Sequence, residues 1–151
     1  MLAACKHPHV VGLEDDVWDP MHDFLVMEFA ACGSLEDLVG RDGLDDADVA
    51  RVGRDLCVAV DHVHSCGIVH GDIKPGNVIV SSGSPLWVKI ADFGCAQRLD
   101  KGSFLKGRIG TRKFMAPEVV CNARYGAKID LWSLGMTLYF WCGGTSWHEH
   151  A

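Results

Sequence analysis

Apolar and polar positions alternate along the chain in runs of distinct period. Residues 24–29, FLVMEF, form a compact apolar run of strand length and composition, broken by ACGS at 31–34. Leu35 to Val39 reads as a short helix. The clearest helical period lies in 45–66, where Val49, Val52, Leu56, Val60 and Val63 recur at spacings of three and four. Asp45 or Asp46 can cap the start of this helix, and Gly67 fits the position just past its end. Val78–Val80 and Val88–Ile90 are two short β-rich runs joined by a Ser/Gly/Pro loop, a hairpin signal. From 92 to about 118 the pattern turns irregular, with Gly94, Gly102, Gly107 and Gly110 along it, and a loop of that length is uncommon in a compact domain unless it has a task. Ile129, Leu131, Trp132, Leu134, Met136, Leu138, Tyr139 and Trp141 then put apolar groups on all sides of a helix, which predicts a helix in the middle of the protein. The expected fold is mainly α with a small β portion (α+β): a helical body, a β-hairpin and a long polar loop above it.

A chain of 151 residues, 48% of them apolar and 23% charged, has room for one domain with a core but not for two. The formal net charge of −6 argues against a general binder of nucleic acid or anionic membrane, which needs a basic surface. Lys101, Lys106, Arg108, Arg112 and Lys113 do gather locally, and the simplest reading of them is a solvated loop. Seven scattered cysteines without a C-x-x-C pair read as reduced, mostly buried thiols in a reducing compartment. The pairs His62/His64 and His148/His150 lack nearby cysteine partners and are not read as a metal site. No signal peptide is visible at the start, and the most apolar stretch, 129–142, is too short to span a bilayer. These features set the expectation of a soluble cytoplasmic, intracellular protein with neither nucleic acid nor membrane as partner; they do not reach its oligomeric state.

Chemistry concentrates in VHGDIKPGN, residues 69–77. Phosphoryl transfer from a nucleotide needs a carboxylate to orient and deprotonate the attacking hydroxyl, divalent cations on the phosphates, and positive charge near the moving phosphoryl group. Asp72, Lys74 and Asn77 offer a base, a cation and an oxygen ligand on one short loop. Asp92, just after the second β-run, offers the hard carboxylate that Mg2+ prefers. D-x-K-x-x-N and D-F-G are each too short to be specific alone. Their order, with the hairpin between them, followed by GTRKFMAPE (110–118) and DLWSLG (130–135), makes the set specific.

Taken together these segments resemble the eukaryotic protein kinase family, serine/threonine type, across essentially the whole chain. HPHVVGL (7–13) is similar to the segment linking the upper-lobe helix to its next strand, and FLVMEFAACGSLEDL to the last upper-lobe strand, the hinge and the first lower-lobe helix. The resemblance implies a partial kinase domain over 1–151: an upper-lobe remnant at 1–27, a hinge at 28–34 and an incomplete lower lobe at 35–151. It implies ATP and Mg2+ as cofactors and a protein substrate. Asp72 would be the catalytic base, Lys74 would contact the γ-phosphate, and Asn77 and Asp92 would hold Mg2+. Met27 matches the gatekeeper, the backbone of Glu28 and Ala30 would bond the adenine edge, and Ile79 would lie under the ring. His70 and Phe93, with Leu13 and Leu2, match a packing spine. Asp130 would anchor the catalytic loop from the core, and Thr111 would bond both Asp72 and Lys74. DFGCAQRL (92–99) has a short similarity to Mos-type kinases.

Three departures from the family pattern stand out. The glycine-rich loop, the upper-lobe lysine and its glutamate partner are not in this sequence, and neither is the arginine that pairs with the glutamate of APE, here Glu118. A chain missing both parts is expected to be inactive in isolation and to expose apolar surface. Gly71 replaces the arginine of the usual H-R-D, whose phosphate clamp makes activation-loop phosphorylation a switch, so dependence of activity on a site such as Ser103 is expected to be small. The leading expectation is an ATP-dependent serine/threonine protein kinase present as a fragment; the alternative is a non-catalytic kinase-like interaction module.

Overall fold

In the computed structural model, residues 2–42, 44–83 and 85–142 are described. The element order is β1 (Leu13–Trp18), β2 (Asp23–Met27), α1 (Leu35–Asp42), α2 (Asp46–Ser65), β3 (Ile68–Val69), β4 (Val78–Gly83), β5 (Leu86–Ile90), β6 (Gln97–Arg98), α3 (Pro117–Val120) and α4 (Lys128–Trp141). The strands form three antiparallel pairs, β1 with β2, β3 with β6 and β4 with β5.

The long helix α2 organises the body. Of the two candidate caps, Asp45 accepts from the Asp48 N–H at 2.7 Å, and Cys66 closes the other end just before Gly67. Val52, Leu56, Ala59, Val60 and Val63 make its buried face. They join the inward residues of the hairpin, Val78 and Val80 of β4 with Leu86, Val88 and Ile90 of β5, in one core. The hairpin alternates as its period of two requires: Trp87, between two buried residues, faces outward. Each aliphatic side chain so enclosed contributes about 1.5–3 kcal/mol. The segment before β1 lies against the hairpin, with the Val11 N–H donating to the Ile90 carbonyl and the Ile90 N–H to the His9 carbonyl, both at 2.9 Å. A second, smaller core of Val69, Ala116, Val119, Tyr125 and Ile129 holds the irregular segment against the start of α4.

Three expectations need correction. The run 24–29 is a strand only as far as Met27, and it is not buried: Phe24, Leu25, Val26 and Met27 are exposed and Phe29 is 90% exposed. Its partner β1, with the sequence LEDDVW, carries three consecutive acids that conceal its strand character. The hairpin is also longer than the two apolar runs, because Ser81 to Gly83 extend β4 across a register shift between Val80 and Ser82. Helix α4 is not enclosed on all sides. Its buried face includes Asp130, Ser133 and Thr137, whereas Leu131, Trp132, Tyr139 and Phe140 are exposed. Ile129, Leu134 and Trp141 share that face, and the polar residues among them have a local cause. The Ser133 hydroxyl donates to the Phe114 and Ile129 carbonyls and the Thr137 hydroxyl to the Ser133 carbonyl, so the polar face is satisfied inside the fold. The exposed aromatics of α4 and β2 match the expectation of uncovered apolar surface.

The expectation of mostly buried cysteines fails: Cys5 is buried, whereas Cys32, Cys57, Cys121 and Cys142 are exposed. His148 and His150 lie outside the described residues. Among the described residues no helix is long and apolar enough to cross a membrane, and no group of three or more His, Cys, Asp or Glu is arranged to hold a metal.

Candidate active site

The loop 70–77 is held from below by a carboxylate. Asp130, fully buried at the first turn of α4, accepts the His70 N–H on Oδ2 and the Gly71 N–H on Oδ1, each at 2.8 Å. His64 of α2 places Nε2 2.8 Å from the same Oδ2. This partner was not singled out in the sequence, where the only signal is a polar ring in the last turn of an otherwise apolar-faced helix. His70 is buried too; its Nε2 faces the Ala91 carbonyl at 3.1 Å and its ring meets the Phe93 ring edge-on at 4.8 Å between centroids. Burial drives the His70 imidazole below its ordinary range, against the opposing pull of Asp130 and the Ala91 carbonyl, so the ring is a neutral packing element.

On this support the Asp72 carboxylate becomes a hub. Oδ1 accepts the Thr111 N–H at 2.7 Å, and Oδ2 lies 2.9 Å from the Lys74 ammonium and 3.2 Å from the Asn77 amide nitrogen. Lys74 also donates to the Thr111 hydroxyl at 2.8 Å, and the Asn77 amide donates to the Asp72 carbonyl at 2.8 Å. Burial tends to raise the Asp72 carboxyl, but hydrogen bonds from Lys74 and Thr111 and the lysine charge outweigh it, and the group ends below its ordinary range. It is therefore ionised at neutral pH. A carboxylate has about four lone-pair sites; the Thr111 N–H takes one on Oδ1, and Lys74 and Asn77 lie against Oδ2.

Two glycines allow the loop and the later segment to touch. Gly71 has φ +81°, and a Cβ there would stand 2.6 Å from Ile109 Cδ1 and 3.0 Å from the Cys95 carbonyl oxygen. Gly110 has φ +87°, and its Cβ would fall 2.3 Å from the Gly71 carbonyl oxygen. Gly71 thus has a second reading beside the missing clamp: the positive φ and the nearby Cys95 carbonyl favour a residue without a Cβ. Gly110 escaped the sequence reading, since GT before APE marks a segment and not a contact.

Asp92 follows β5 in the left-handed region, φ 60° and ψ 77°, and its Oδ1 accepts the Gly94 N–H at 3.1 Å. A left-handed conformation costs a non-glycine residue about 1–2 kcal/mol, and here it is held by that bond and by the Ala91 N–H, which donates to the Asn77 carbonyl at 2.8 Å. The link ties Asn77 and Asp92 into one corner. Asn77 turns its nitrogen toward Asp72, which leaves its amide oxygen as a hard donor on the loop next to the one that carries Asp92. Two oxygen ligands fit Mg2+ with a polyphosphate, because this ion takes one or two protein ligands and completes its shell with phosphates and water.

A cavity of about 350 Å³ joins this corner to β2, lined by Leu2, Leu25, Met27, Asp92, Phe93 and Gly94. Met27 and Asp92, far apart in sequence, therefore face one space, and Leu2 and Phe93 share its wall. Leu13 packs partly buried against the main core. Glu28 directs its carboxylate away, 2.7 Å from the Lys89 ammonium, and its N–H donates to the Gly12 carbonyl at 3.0 Å. The Ala30 carbonyl accepts from Gly33 at 3.3 Å. Among the described residues the Glu28 carbonyl and the Ala30 N–H have no such partner, an acceptor and a donor two residues apart. Ile79 is half-buried on β4, bridged to Ser34, and is not among the residues lining the cavity. Among the described residues Glu118 has no cationic partner.

Comparison with known proteins agrees with this architecture. The family described as Protein kinase domain matches residues 1–151. The chain is 39% identical over 140 residues to the human serine/threonine-protein kinase ULK3, an alignment covering 92% of this chain and 30% of the relative. It is 34% identical over 153 residues to the serine/threonine-protein kinase RAD53 of Saccharomyces cerevisiae, covering 92% of this chain and 19% of the relative. The chain thus spans less than a third of the length of these curated relatives. With the family matched over every residue and the loop, the DFG corner and the α4 anchor in place, the chain belongs to the eukaryotic protein kinase family, among relatives of serine/threonine type.

Proposed function

We propose that this chain carries the catalytic loop and the metal-binding corner of a kinase that transfers the γ-phosphoryl group of ATP, with Mg2+, to a serine or threonine hydroxyl of a protein. The observation that supports this best is the Asp72 hub: one ionised carboxylate held by Thr111, Lys74 and Asn77. Asp72 would take the hydroxyl proton as the oxygen attacks, and Lys74, beside it, would stabilise the negative charge of the phosphoryl group in transit. Thr111 would keep base and lysine in register. Asn77 and Asp92 would hold Mg2+, whose charge screens the phosphates when it is bound. Met27, the Glu28 carbonyl and the Ala30 N–H would meet the base of ATP, with Ile79 beneath it. In this reading residues 1–27 belong to the upper lobe, 28–34 to the hinge and 35–151 to the lower lobe, and the protein acts inside the cell.

The test uses the natural full-length protein with ATP, Mg2+ and protein substrates. Label should appear on serine or threonine and disappear when the cation is chelated. The 151-residue chain alone should transfer negligible phosphate, because its sequence supplies no glycine-rich loop or upper-lobe lysine for the α- and β-phosphates. No transfer from the full-length protein would favour the interaction module, and transfer that survives chelation would overturn the Mg2+ role given to Asn77 and Asp92.

A further inference from the structure

The irregular segment has a charge pattern opposite to that of the chain. Half of the 14 lysines and arginines fall within residues 101–128, against a single acid, Glu118, while the whole molecule carries −6. The structure gives this charge a shape. Arg108, Arg112, Met115 and Val120 line a cleft of about 120 Å³. Its floor is apolar and half-buried, Met115 and Val120, and its two arginines are exposed. Arg108 is fixed as a wall, because its Nε donates to the Val120 carbonyl at 3.1 Å. Among the described residues no carboxylate pairs with Arg108.

The cleft begins beside the base. Arg112 follows Thr111, whose N–H holds Asp72 at 2.7 Å, and consecutive Cα atoms are about 3.8 Å apart. A polypeptide that brings a hydroxyl to Asp72 therefore passes the Thr111–Arg112 segment, which carries one wall of the cleft. We infer that the Arg108–Arg112 cleft selects protein substrates with an aspartate or glutamate flanking the acceptor serine or threonine. A carboxylate matches the fork geometry of guanidinium groups, and its methylene stem matches the apolar floor. A basic neighbour would meet like charge. The inference rests on the kinase reading for where the acceptor sits, but the acidic preference of the cleft comes from its own residues.

The experiment takes the full-length protein and a neutral serine peptide in which glutamate, alanine or arginine is placed at each of three positions on either side of the acceptor. Glutamate at an immediately flanking position should raise kcat/KM about tenfold over alanine, mainly through KM, and arginine there should lower it. Arg108→Glu should invert the ratio of glutamate to arginine peptides. Binding of the same labelled peptides, measured by fluorescence anisotropy, separates the two claims. If no peptide is phosphorylated but the glutamate peptide binds more tightly than the others and loses that advantage in Arg108→Glu, the kinase reading falls and the acidic cleft stands. Equal rates and equal binding for glutamate, alanine and arginine peptides would overturn the inference, whether or not the variant folds.

Discussion

Asp130→Ala is expected to lower stability by about 3–5 kcal/mol, the range for removing one partner from a buried charged network. The Asp130 side chain is fully enclosed, and two backbone N–H groups and an imidazole nitrogen depend on it. A counter-argument is that burying a carboxylate is itself costly, so that an apolar replacement could be neutral. That outcome requires the partners to be replaced as well. Here the donors at His70 and Gly71 are backbone and remain, each left unsatisfied at a cost of about 1–3 kcal/mol. Alanine therefore loses more than it recovers. Asp130→Asn should fall between the two, since one oxygen still accepts while the amide nitrogen opposes a donor. Hydrogen exchange in the full-length protein gives the specific readout: protection of the His70 and Gly71 amides should drop in both variants, more in alanine. Because those amides position the residue before Asp72, activity should fall with protection.

The second large effect is expected at Gly110. An alanine Cβ would sit 2.3 Å from the Gly71 carbonyl oxygen and 3.3 Å from Asp72 Oδ1. The first contact is with backbone on the loop that Asp130 pins from below, so relief has to come from the Thr111 side. The left-handed backbone adds about 1–2 kcal/mol of its own. Gly110→Ala should thus part Thr111 from Asp72, breaking the 2.7 Å N–H bond to the base and with it the 2.8 Å bond from Lys74 to the Thr111 hydroxyl. A displacement of about 1 Å in a catalytic constellation costs on the order of a hundredfold in rate. The check is kcat of the full-length variant beside its thermal unfolding. A fall of that size in kcat, with unfolding shifted only modestly, is the expected pair of results; unchanged kcat would mean that the two segments do not need to touch.

How much of this was legible in the sequence depends on the kind of signal. Helix α2 and the β4–β5 hairpin were readable because period and burial coincide: Val52, Leu56, Val60 and Val63 on one face, Val78, Val80, Val88 and Ile90 on the other. The strand β1 was not, because Glu14, Asp15 and Asp16 are exposed and leave no alternation. The α4 reading failed for the opposite reason. Its apolar residues surround the helix, yet Asp130, Ser133 and Thr137 share the inner face with Ile129, Leu134 and Trp141 through bonds to the loop and the helix backbone, which no hydrophobicity pattern records. In the site, the order of Asp72, Lys74, Asn77 and Asp92 carried the chemistry, and the contacts of Thr111 with Asp72 and Lys74 and of Asp130 with the loop agree with what the resemblance implied. His64 behind Asp130 and Gly110 against Gly71 could not be read, since both act through contacts closed by residues far away in the chain.

The most direct test of the account is kcat for Asp72→Asn in the full-length protein. Asparagine keeps the shape and one acceptor for the Thr111 N–H but removes the charge that would take the proton. The new amide nitrogen loses the contacts to Lys74 and to the Asn77 amide, but the 2.8 Å bond from Asn77 to the backbone carbonyl of position 72 remains to hold the corner that would bind Mg2+ and ATP. The account predicts a fall in kcat of about a hundredfold to ten-thousandfold, the range for loss of a general base, with KM for ATP little changed. A kcat within about threefold of the parent, too small for a lost base, would contradict it, because Asp72 would then be a structural hub and the proton would leave by another route.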